Sequence, residues 1–138
     1  MREKLHGYHW IVEYHNCSAR EESGGLIINN HKKMLEILVN SAKLADTTIL
    51  KKYSRQFEPQ GATAVVVISE SHLSIHTWPE DDYSADFDFF CCNPNSDGDS
   101  IVDYVSKEIG AESYHCLKLK RTKDRSEVIP SFAYNPKK

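Results

Sequence analysis

The chain has 138 residues, of which 40% are hydrophobic and 27% are charged, and no apolar run is long enough to cross a bilayer. These proportions are those of one globular domain that buries roughly 68% of its unfolded surface, and they argue against a disordered or fibrous chain. Seventeen basic residues against twenty acidic ones give a net charge of −3, the wrong sign for a protein that binds by neutralising phosphates. We therefore predict a single domain over residues 1–138, with neither nucleic acid nor membrane as partner.

The N-terminus bears on the location of the protein in the cell, and the cysteines bear on metal binding. The N-terminus is charged and leads directly into a strand-like stretch, so no secretory or transit segment is indicated and a cytoplasmic location is predicted. In a reducing compartment the four cysteines, at positions 17, 91, 92 and 116, are expected as thiols. There is no CxxC pair and no HExxH, so no metal site is predicted.

The first half of the chain predicts three strands and one helix. The helix begins after Asn30, a residue suited to the N-cap, because apolar residues recur at helical spacing from Met34 to Ala45. A continuous β-branched run at 64–68 predicts a central strand. The predicted order is strand (8–14), polar loop (18–25), helix, strand (47–55), turn (57–61) and central strand (64–68).

The second half predicts a hairpin, a helix and a last strand. Residues 71–77 alternate polar and apolar, Pro79 turns the chain, and an aromatic-rich strand returns over 84–92. A helix capped by Asp99 or Ser100 is expected to stop at Gly110. It is followed by a strand (114–119) and by a tail, about 121–138, that is expected to be flexible.

This order of elements favours an α+β fold. Two helices and five or six strands, paired largely through hairpins, predict a two-layer sandwich with a mainly antiparallel sheet and both helices on one face. A parallel sheet would need more crossover helices than the chain has.

Groups able to do acid–base or nucleophilic chemistry are concentrated around the central strand. They are Glu70, Ser71, His72, Ser74, His76, Glu80 and Cys91. Taken singly, each is better explained as a strand-surface or core residue than as a catalytic one, and Phe57 and Trp78 are better explained as packing residues. Their order along the chain carries more information than their number.

Residues 70–80, ESHLSIHTWPE, closely resemble the self-cleaving segment of the prokaryotic S-adenosylmethionine decarboxylase proenzymes. These are pyruvoyl-dependent enzymes of polyamine synthesis. Residues 57–63, FEPQGAT, resemble the stretch that precedes the family's central strand, and Gly7, His9, Glu13 and Cys17 fall where the family carries the same residue types. The resemblance runs from about residue 6 to about residue 120.

The resemblance implies that the chain cuts itself between Glu70 and Ser71, into residues 1–70 and 71–138. The serine hydroxyl attacks the preceding carbonyl, a base removes the serine Cα proton, and elimination and hydrolysis leave a pyruvoyl group at position 71. The matching base is His76, whose ordinary pKa near 6.5 suits proton abstraction at neutral pH.

For turnover, the resemblance implies that the pyruvoyl group forms a Schiff base with S-adenosylmethionine and that Cys91 donates the proton that replaces carbon dioxide. Glu80 matches a residue that binds the ribose, Phe57 and Trp78 match aromatic residues near the adenine, and Leu73 is assigned to the same substrate site. The resemblance also implies a homodimer in which residues such as Phe57 come from the partner.

Strand geometry adds two predictions about this segment. Ser71 and His76 are five residues apart and point to opposite faces of a straight strand, so we expect a bend or bulge near Ser71. If the hairpin turn places Thr77 opposite Ala85, then Ser71 lies across from Cys91, close enough for contact.

The return strand departs from the family pattern, and this keeps alternatives open. The family commonly reads AVDVFTCG where this chain reads ADFDFFCC, so the acidic positions, Asp86 and Asp88, are shifted by one and Phe90 and Cys92 replace a small polar residue and a glycine. The alternatives are a pyruvoyl decarboxylase of the same fold acting on arginine or ornithine, and an uncleaved paralogue without catalysis.

Overall fold

One antiparallel sheet forms the frame of the molecule. The computed structural model describes residues 4–69, 71–93 and 95–134, the last four of these by their backbone only. The strands are β1 (Leu5–His15), β2 (Ile49–Gln56), β3 (Ala62–Ile68), β4 (Ser71–Trp78), β5 (Ser84–Cys91), β6 (Ser113–Thr122) and β7 (Ser126–Tyr134). A 3₁₀ turn (Ile27–Asn29) precedes α1 (His31–Leu44), and α2 (Gly98–Ile109) follows β5.

The strand order in the sheet is β2-β3-β4-β5-β1-β6-β7, and every neighbouring pair is antiparallel. Helix α1 packs on β2, β3 and β4, and α2 packs on β1 and on α1. The predicted α+β, two-layer architecture is confirmed, with seven strands in the described chain rather than five or six. The sheet therefore has one face covered by helices and one face, called here the open face, that no described element covers.

The core lies between the sheet and the helices because each strand alternates buried and more exposed residues. Trp10, Tyr14, Phe87 and Phe89 are all buried on the covered face. The rings of Trp10 and Phe89 stack with centroids 5.3 Å apart, and the Tyr14 hydroxyl donates to the Val102 carbonyl of α2 at 2.7 Å. Burial of these large side chains fixes which face of each strand is turned inward.

The helix ends agree with the sequence except at the start of α2. Asn30 caps α1 as predicted, since its side chain accepts from the N–H groups of the first turn. In α2 the cap is Asp97, which accepts from the Ser100 N–H at 3.1 Å, so the prediction of Asp99 or Ser100 is wrong by two or three residues. Gly98, the first residue of this helix, lies against the Trp10 ring, which leaves no room for a Cβ. The helix ends, as predicted, at Gly110 with a φ of +69°.

The predicted flexible tail is wrong for Ser126–Tyr134, which form strand β7 on the edge of the sheet. Pro130 is compatible with this strand, because a proline is tolerated on an edge strand and at a bulge. The register between β6 and β7 shifts between Cys116 and Lys118, where Pro130 lies across from β6. Residues 135–138 lie outside the described residues.

Gly7 couples β1 to the end of β5. Its φ of +155° is outside the range that other residues adopt easily. A Cβ at this position would overlap the backbone carbonyl oxygen of Cys91. Because backbone atoms of a central strand cannot move aside cheaply, only glycine lets β1 approach β5 at this point.

We predict that Gly7→Ala lowers the free energy of unfolding by about 2–4 kcal/mol, through overlap and backbone strain. Gly25→Ala is the matched control, since its nearest neighbour would be Glu21 Oε2 at 4.0 Å; this change should stay within about 0.5 kcal/mol. Urea denaturation of the two variants measures both values. Equal stability of Gly7→Ala and Gly25→Ala would contradict the close approach described.

Candidate active site

Ser71 is the first residue of β4 and follows an abrupt reversal of the chain. Ile68, the last residue of β3, is the cross-strand partner of Ser71, so the chain turns within two residues. From Ser71 to His76 the pairing with β3 is continuous, with no shift of register. The predicted bulge near Ser71 is therefore wrong for β4, whose ladder with β3 is regular from Ser71 onward. Glu70, the residue before the expected cleavage site, lies outside the described residues.

The register of β4 against β5 is the one the hairpin predicts. Thr77 is paired with Ala85, and the ladder continues to His72 opposite Phe90. One step further along this register, Ser71 and Cys91 stand at corresponding positions at the end of the two strands. The predicted register of Thr77 with Ala85 is confirmed, but the paired ladder ends at His72 and Phe90, and the side-chain contact of Ser71 is with Cys92 and not with Cys91 as expected.

The thiol that contacts Ser71 is that of Cys92. The distance from Ser71 Oγ to Cys92 Sγ is 3.8 Å, within the range of a hydrogen bond to sulfur. Cys91 is 1% exposed; its Sγ accepts from the Asn93 N–H at 3.4 Å and donates to Ser96 Oγ at 3.5 Å. Both thiols thus lie at the Ser71 end of β4, and they have different partners.

A small cavity of about 150 Å³ opens beside Cys91. Its lining includes Ile68 and Ser69 from the end of β3, Thr47 and Thr48 from the segment before β2, and Asn93. The Cys91 sulfur is therefore buried against space that a few atoms could occupy.

His76 lies near the other end of β4 and is held by β3. Its cross-strand partner on that side is Thr63, and His76 Nδ1 is 2.8 Å from Thr63 Oγ1. If Nδ1–H donates to the threonine oxygen, Nε2 carries no proton and can accept one, because the bond at one ring nitrogen sets the state of the other. No sequence pattern pointed to Thr63, whose contact with His76 becomes visible only once the register of β3 and β4 is known.

Four residues predicted for the site line one cavity of about 580 Å³ at this second end. They are Phe57, His76, Trp78 and Glu80. Phe57 is 43% and Trp78 46% exposed, and the Arg55 guanidinium lies 5.8 Å from the Phe57 ring centroid. This apolar cavity with a carboxylate at its edge is called here the nucleoside cavity. It has the size and character of small-molecule sites.

Leu73 does not belong to this cavity. It is fully buried, on the face of the sheet that the helices cover. The side chain therefore serves the core, and the expectation that it contacts substrate is not supported.

The shifted acids of the return strand both lie on the open face. Phe87 takes the buried position between them. Asp86 Oδ2 accepts from Trp78 Nε1 at 3.1 Å, and Asp88 Oδ1 is 3.0 Å from His9 Nε2. The facing of β5 is thus regular, and each displaced carboxylate has a partner.

Burial determines the protonation of several groups near the sheet. It raises the pKa of the Cys17 and Cys116 thiols to about 12, which keeps both protonated core residues. The pKa of His72 is lowered, first by burial and then by the neighbouring His9. His72 packs edge-on against Phe90 beside the Ser71 end, with ring centroids 6.2 Å apart.

Two negative findings concern the described residues alone. Within residues 4–69, 71–93 and 95–134, no three His, Cys, Asp or Glu side chains come together as metal ligands. Neither α1 nor α2, the helices of this part of the chain, is long and apolar enough to cross a membrane.

Comparisons with known proteins agree with the site. The family model described as S-adenosylmethionine decarboxylase matches residues 8–122. The S-adenosylmethionine decarboxylase proenzyme of Carboxydothermus hydrogenoformans is 40% identical over 129 residues, 94% of this chain and 96% of the relative. That of Pyrococcus horikoshii is 35% identical over 115 residues, 83% of this chain and 78% of the relative. The crystal structure of the adenosylmethionine decarboxylase from Aquifex aeolicus VF5 has a TM-score of 0.74 at 28% identity, over 87% of this chain and 92% of that chain. The chain belongs to the S-adenosylmethionine decarboxylase family.

Proenzymes of this family generate a pyruvoyl group from a serine of their own chain by cleavage. The residues at the start of β4 fit such a group. Ser71 is partly buried at the first position of a strand, and two thiols lie at the same end of the hairpin. A cut before Ser71 would fall in the two-residue reversal and leave the paired part of β4 intact.

We predict that Thr63 fixes the tautomer of His76. In the native chain His76 should be observed with Nδ1 protonated, and Thr63→Val should shift it toward Nε2–H because the oxygen acceptor is lost. Nitrogen-15 chemical shifts of the imidazole measure the tautomer. Thr63→Ser is the control and should keep the native signal; an unchanged tautomer in Thr63→Val would contradict the assignment.

Proposed function

We propose that this chain decarboxylates S-adenosylmethionine at sites that two copies of the chain build together, one giving Ser71 and Cys91 and the other His76 and the nucleoside cavity. The observation that carries the proposal is the separation of Ser71 from His76 along the regular strand β4.

Activity and cofactor follow from family membership. The chain is an S-adenosylmethionine decarboxylase proenzyme, and its product, decarboxylated S-adenosylmethionine, is the aminopropyl donor of spermidine synthesis. A pyruvoyl group supplies a ketone that accepts the electrons left on the substrate carbon when carbon dioxide departs. The protein residues bind the substrate, hold it and move protons around it.

Ser71 is the serine proposed as the pyruvoyl precursor, with cleavage between residues 70 and 71. Its position as the first residue of β4 supports this assignment, because a cut before it leaves the ladder between β3 and β4 intact. Cleavage would produce a fragment of residues 1–70 and a fragment of residues 71–138.

His76 of the same chain is badly placed to act on Ser71. Five residues of extended strand separate their Cα atoms by roughly 16 Å, and the two side chains alternate to opposite faces. Thr63 holds the imidazole at its own end of the strand. A histidine from a second copy is the alternative that needs no distortion of β4.

The open face of the sheet supports pairing of two copies. It carries partly exposed apolar side chains on β3, β5, β1 and β6, among them Ile11, Val67 (40% exposed), Phe90, Leu117 and Leu119. An apolar sheet face of this kind is ordinarily buried against another layer. A homodimer formed through this face would place His76 of one chain against the sheet of its partner.

The remaining roles follow from position and chemistry. Cys91 is proposed to protonate the substrate carbon, with Cys92 as the neighbour that contacts Ser71. Phe57 and Trp78 are proposed to pack on the adenine and to attract the cationic sulfonium. Glu80 is proposed to accept from the ribose hydroxyls.

None of the four cysteines forms a disulfide, which supports the proposed cytoplasmic location.

Mass spectrometry of the denatured protein tests the cleavage. The native chain should give residues 1–70 and a second fragment with a blocked N-terminus at position 71, whereas Ser71→Ala should stay intact and inactive because the attacking hydroxyl is gone. An active Ser71→Ala variant would refute the pyruvoyl assignment. Release of carbon dioxide from S-adenosylmethionine, arginine and ornithine identifies the substrate, and preference for either amino acid would overturn the choice made here.

The two neighbouring thiols form a matched pair of variants. Cys91→Ala should still be cleaved but should lose decarboxylation by about 10²-fold or more, as expected for removal of a proton donor. Cys92→Ala should keep decarboxylation within about an order of magnitude. Both are measured on the cleaved fraction. The reverse result, with Cys92→Ala as the inactive variant, would transfer the proton donor to Cys92.

Complementation between two inactive chains tests the shared site. Ser71→Ala and His76→Ala should each fail to be cleaved when expressed alone. Co-expressed, the His76→Ala chain should be cleaved, because its Ser71 meets the intact histidine of the other chain. The control replaces the Ser71→Ala chain by one that carries both changes, and it should give no cleavage. Absence of cleavage in the co-expressed dimer would place His76 and Ser71 of one chain in the same site.

A further inference from the structure

Asp86 lies on the open face of β5 and is the cross-strand partner of His76. Trp78 is paired with Ser84, so Asp86 is its diagonal neighbour, a distance that a long aromatic side chain can span. The indole Nε1–H donates to Asp86 Oδ2 at 3.1 Å. A hydrogen bond to a carboxylate is stronger than one between neutral groups and fixes the direction of the donor.

The Trp78 ring separates two cavities. On one side is the nucleoside cavity of about 580 Å³, which it lines together with Phe57, His76 and Glu80. On the other side is an acidic cavity of about 810 Å³, whose lining includes Trp78 and four carboxylates, Glu13, Asp81, Asp82 and Asp86. The orientation of one ring therefore decides the shape of the space that the substrate is proposed to occupy.

Packing alone leaves this ring freedom to turn. Trp78 is 46% exposed, and the large acidic cavity offers it room. The hydrogen bond to Asp86 removes that freedom before substrate arrives. The entropy cost of ordering the ring therefore does not reduce the affinity for substrate. A carboxylate on the indole N–H also increases the electron density of the ring, which favours a cationic sulfonium over its face.

We infer that Asp86 is a positioning residue for substrate binding, which holds the Trp78 indole as a wall of the nucleoside cavity. The inference deepens the proposed function and rests on it. The family pattern has an apolar residue at this position, so the bond is a feature of this chain.

Steady-state decarboxylation of S-adenosylmethionine measures the effect. Asp86→Ala should raise KM about three- to tenfold, the size expected for one net hydrogen bond. It should leave kcat within about twofold, because Asp86 acts on binding and not on the reacting atoms. Asp86→Asn keeps an oxygen acceptor for the indole and should recover most of the native KM.

The background Trp78→Phe separates positioning from a direct electrostatic effect. Phenylalanine keeps an aromatic ring but has no N–H, so Asp86→Ala should change KM by less than about twofold in that background. An equal rise of KM in both backgrounds would mean that the carboxylate acts on the substrate cation itself and would overturn the inference. An unchanged KM in the native background would overturn it as well.

Acrylamide quenching of indole fluorescence gives a readout that needs no turnover. The chain has two tryptophans, and Trp78→Phe provides the contribution of the buried Trp10. The Trp78 contribution should become more accessible to quencher in Asp86→Ala than in Asp86→Asn, and equal quenching would count against the inference even if a variant is not cleaved. If the native chain is not cleaved or does not act on S-adenosylmethionine, the proposed function fails, whereas normal native activity with no effect of Asp86→Ala removes this inference alone.

Discussion

The whole site depends on the register in which β4 is hydrogen-bonded between β3 and β5. Thr77 opposite Ala85, and Ile68 opposite Ser71, bring Ser71 to the cysteines at one end and His76 to Thr63 and Trp78 to Asp86 at the other. That register is held by the buried residues of β4, Leu73 and Ile75, since a slip by one residue would turn both to the open face. The packing of the core side chains thus determines which residues come together on the open face of the sheet.

The sequence was sufficient for features that depend on local pattern. Alternation and helical spacing predicted the α+β architecture, Asn30 and Gly110 gave correct helix ends, and the hairpin between β4 and β5 could be registered from its turn. Features that depend on partners distant in sequence were missed. Thr63 on β3 meets His76 on β4, Trp10 on β1 lies against Gly98 at the start of α2, and β7 pairs with the edge that β6 offers. Backbone pairing of this kind is not written in local composition.

The regular course of β4, where a bulge was predicted, is also informative. A bulge was expected because it would let Ser71 and His76 of one chain meet. The regular ladder shows that β4 has no bulge that brings them together. The shifted acids Asp86 and Asp88 were a source of doubt about the facing of β5. With Phe87 buried between them, they are instead two added contacts on the open face, one to Trp78 and one to His9.

If the chain is cut before Ser71, as proposed, the position of β1 in the sheet has a consequence for the two fragments. In the order β2-β3-β4-β5-β1-β6-β7, the strands before residue 70 are β1, β2 and β3, and the others come from the second fragment. Strand β1 of the first fragment is therefore hydrogen-bonded between β5 and β6 of the second, and β3 of the first is hydrogen-bonded to β4 of the second. Three ladders thus join the two fragments. After cleavage the two pieces remain one body without a covalent link. Reassembly from separated fragments would require β1 to insert between β5 and β6, two strands that it also helps to hold in place. Folding before cleavage is therefore the expected order of events.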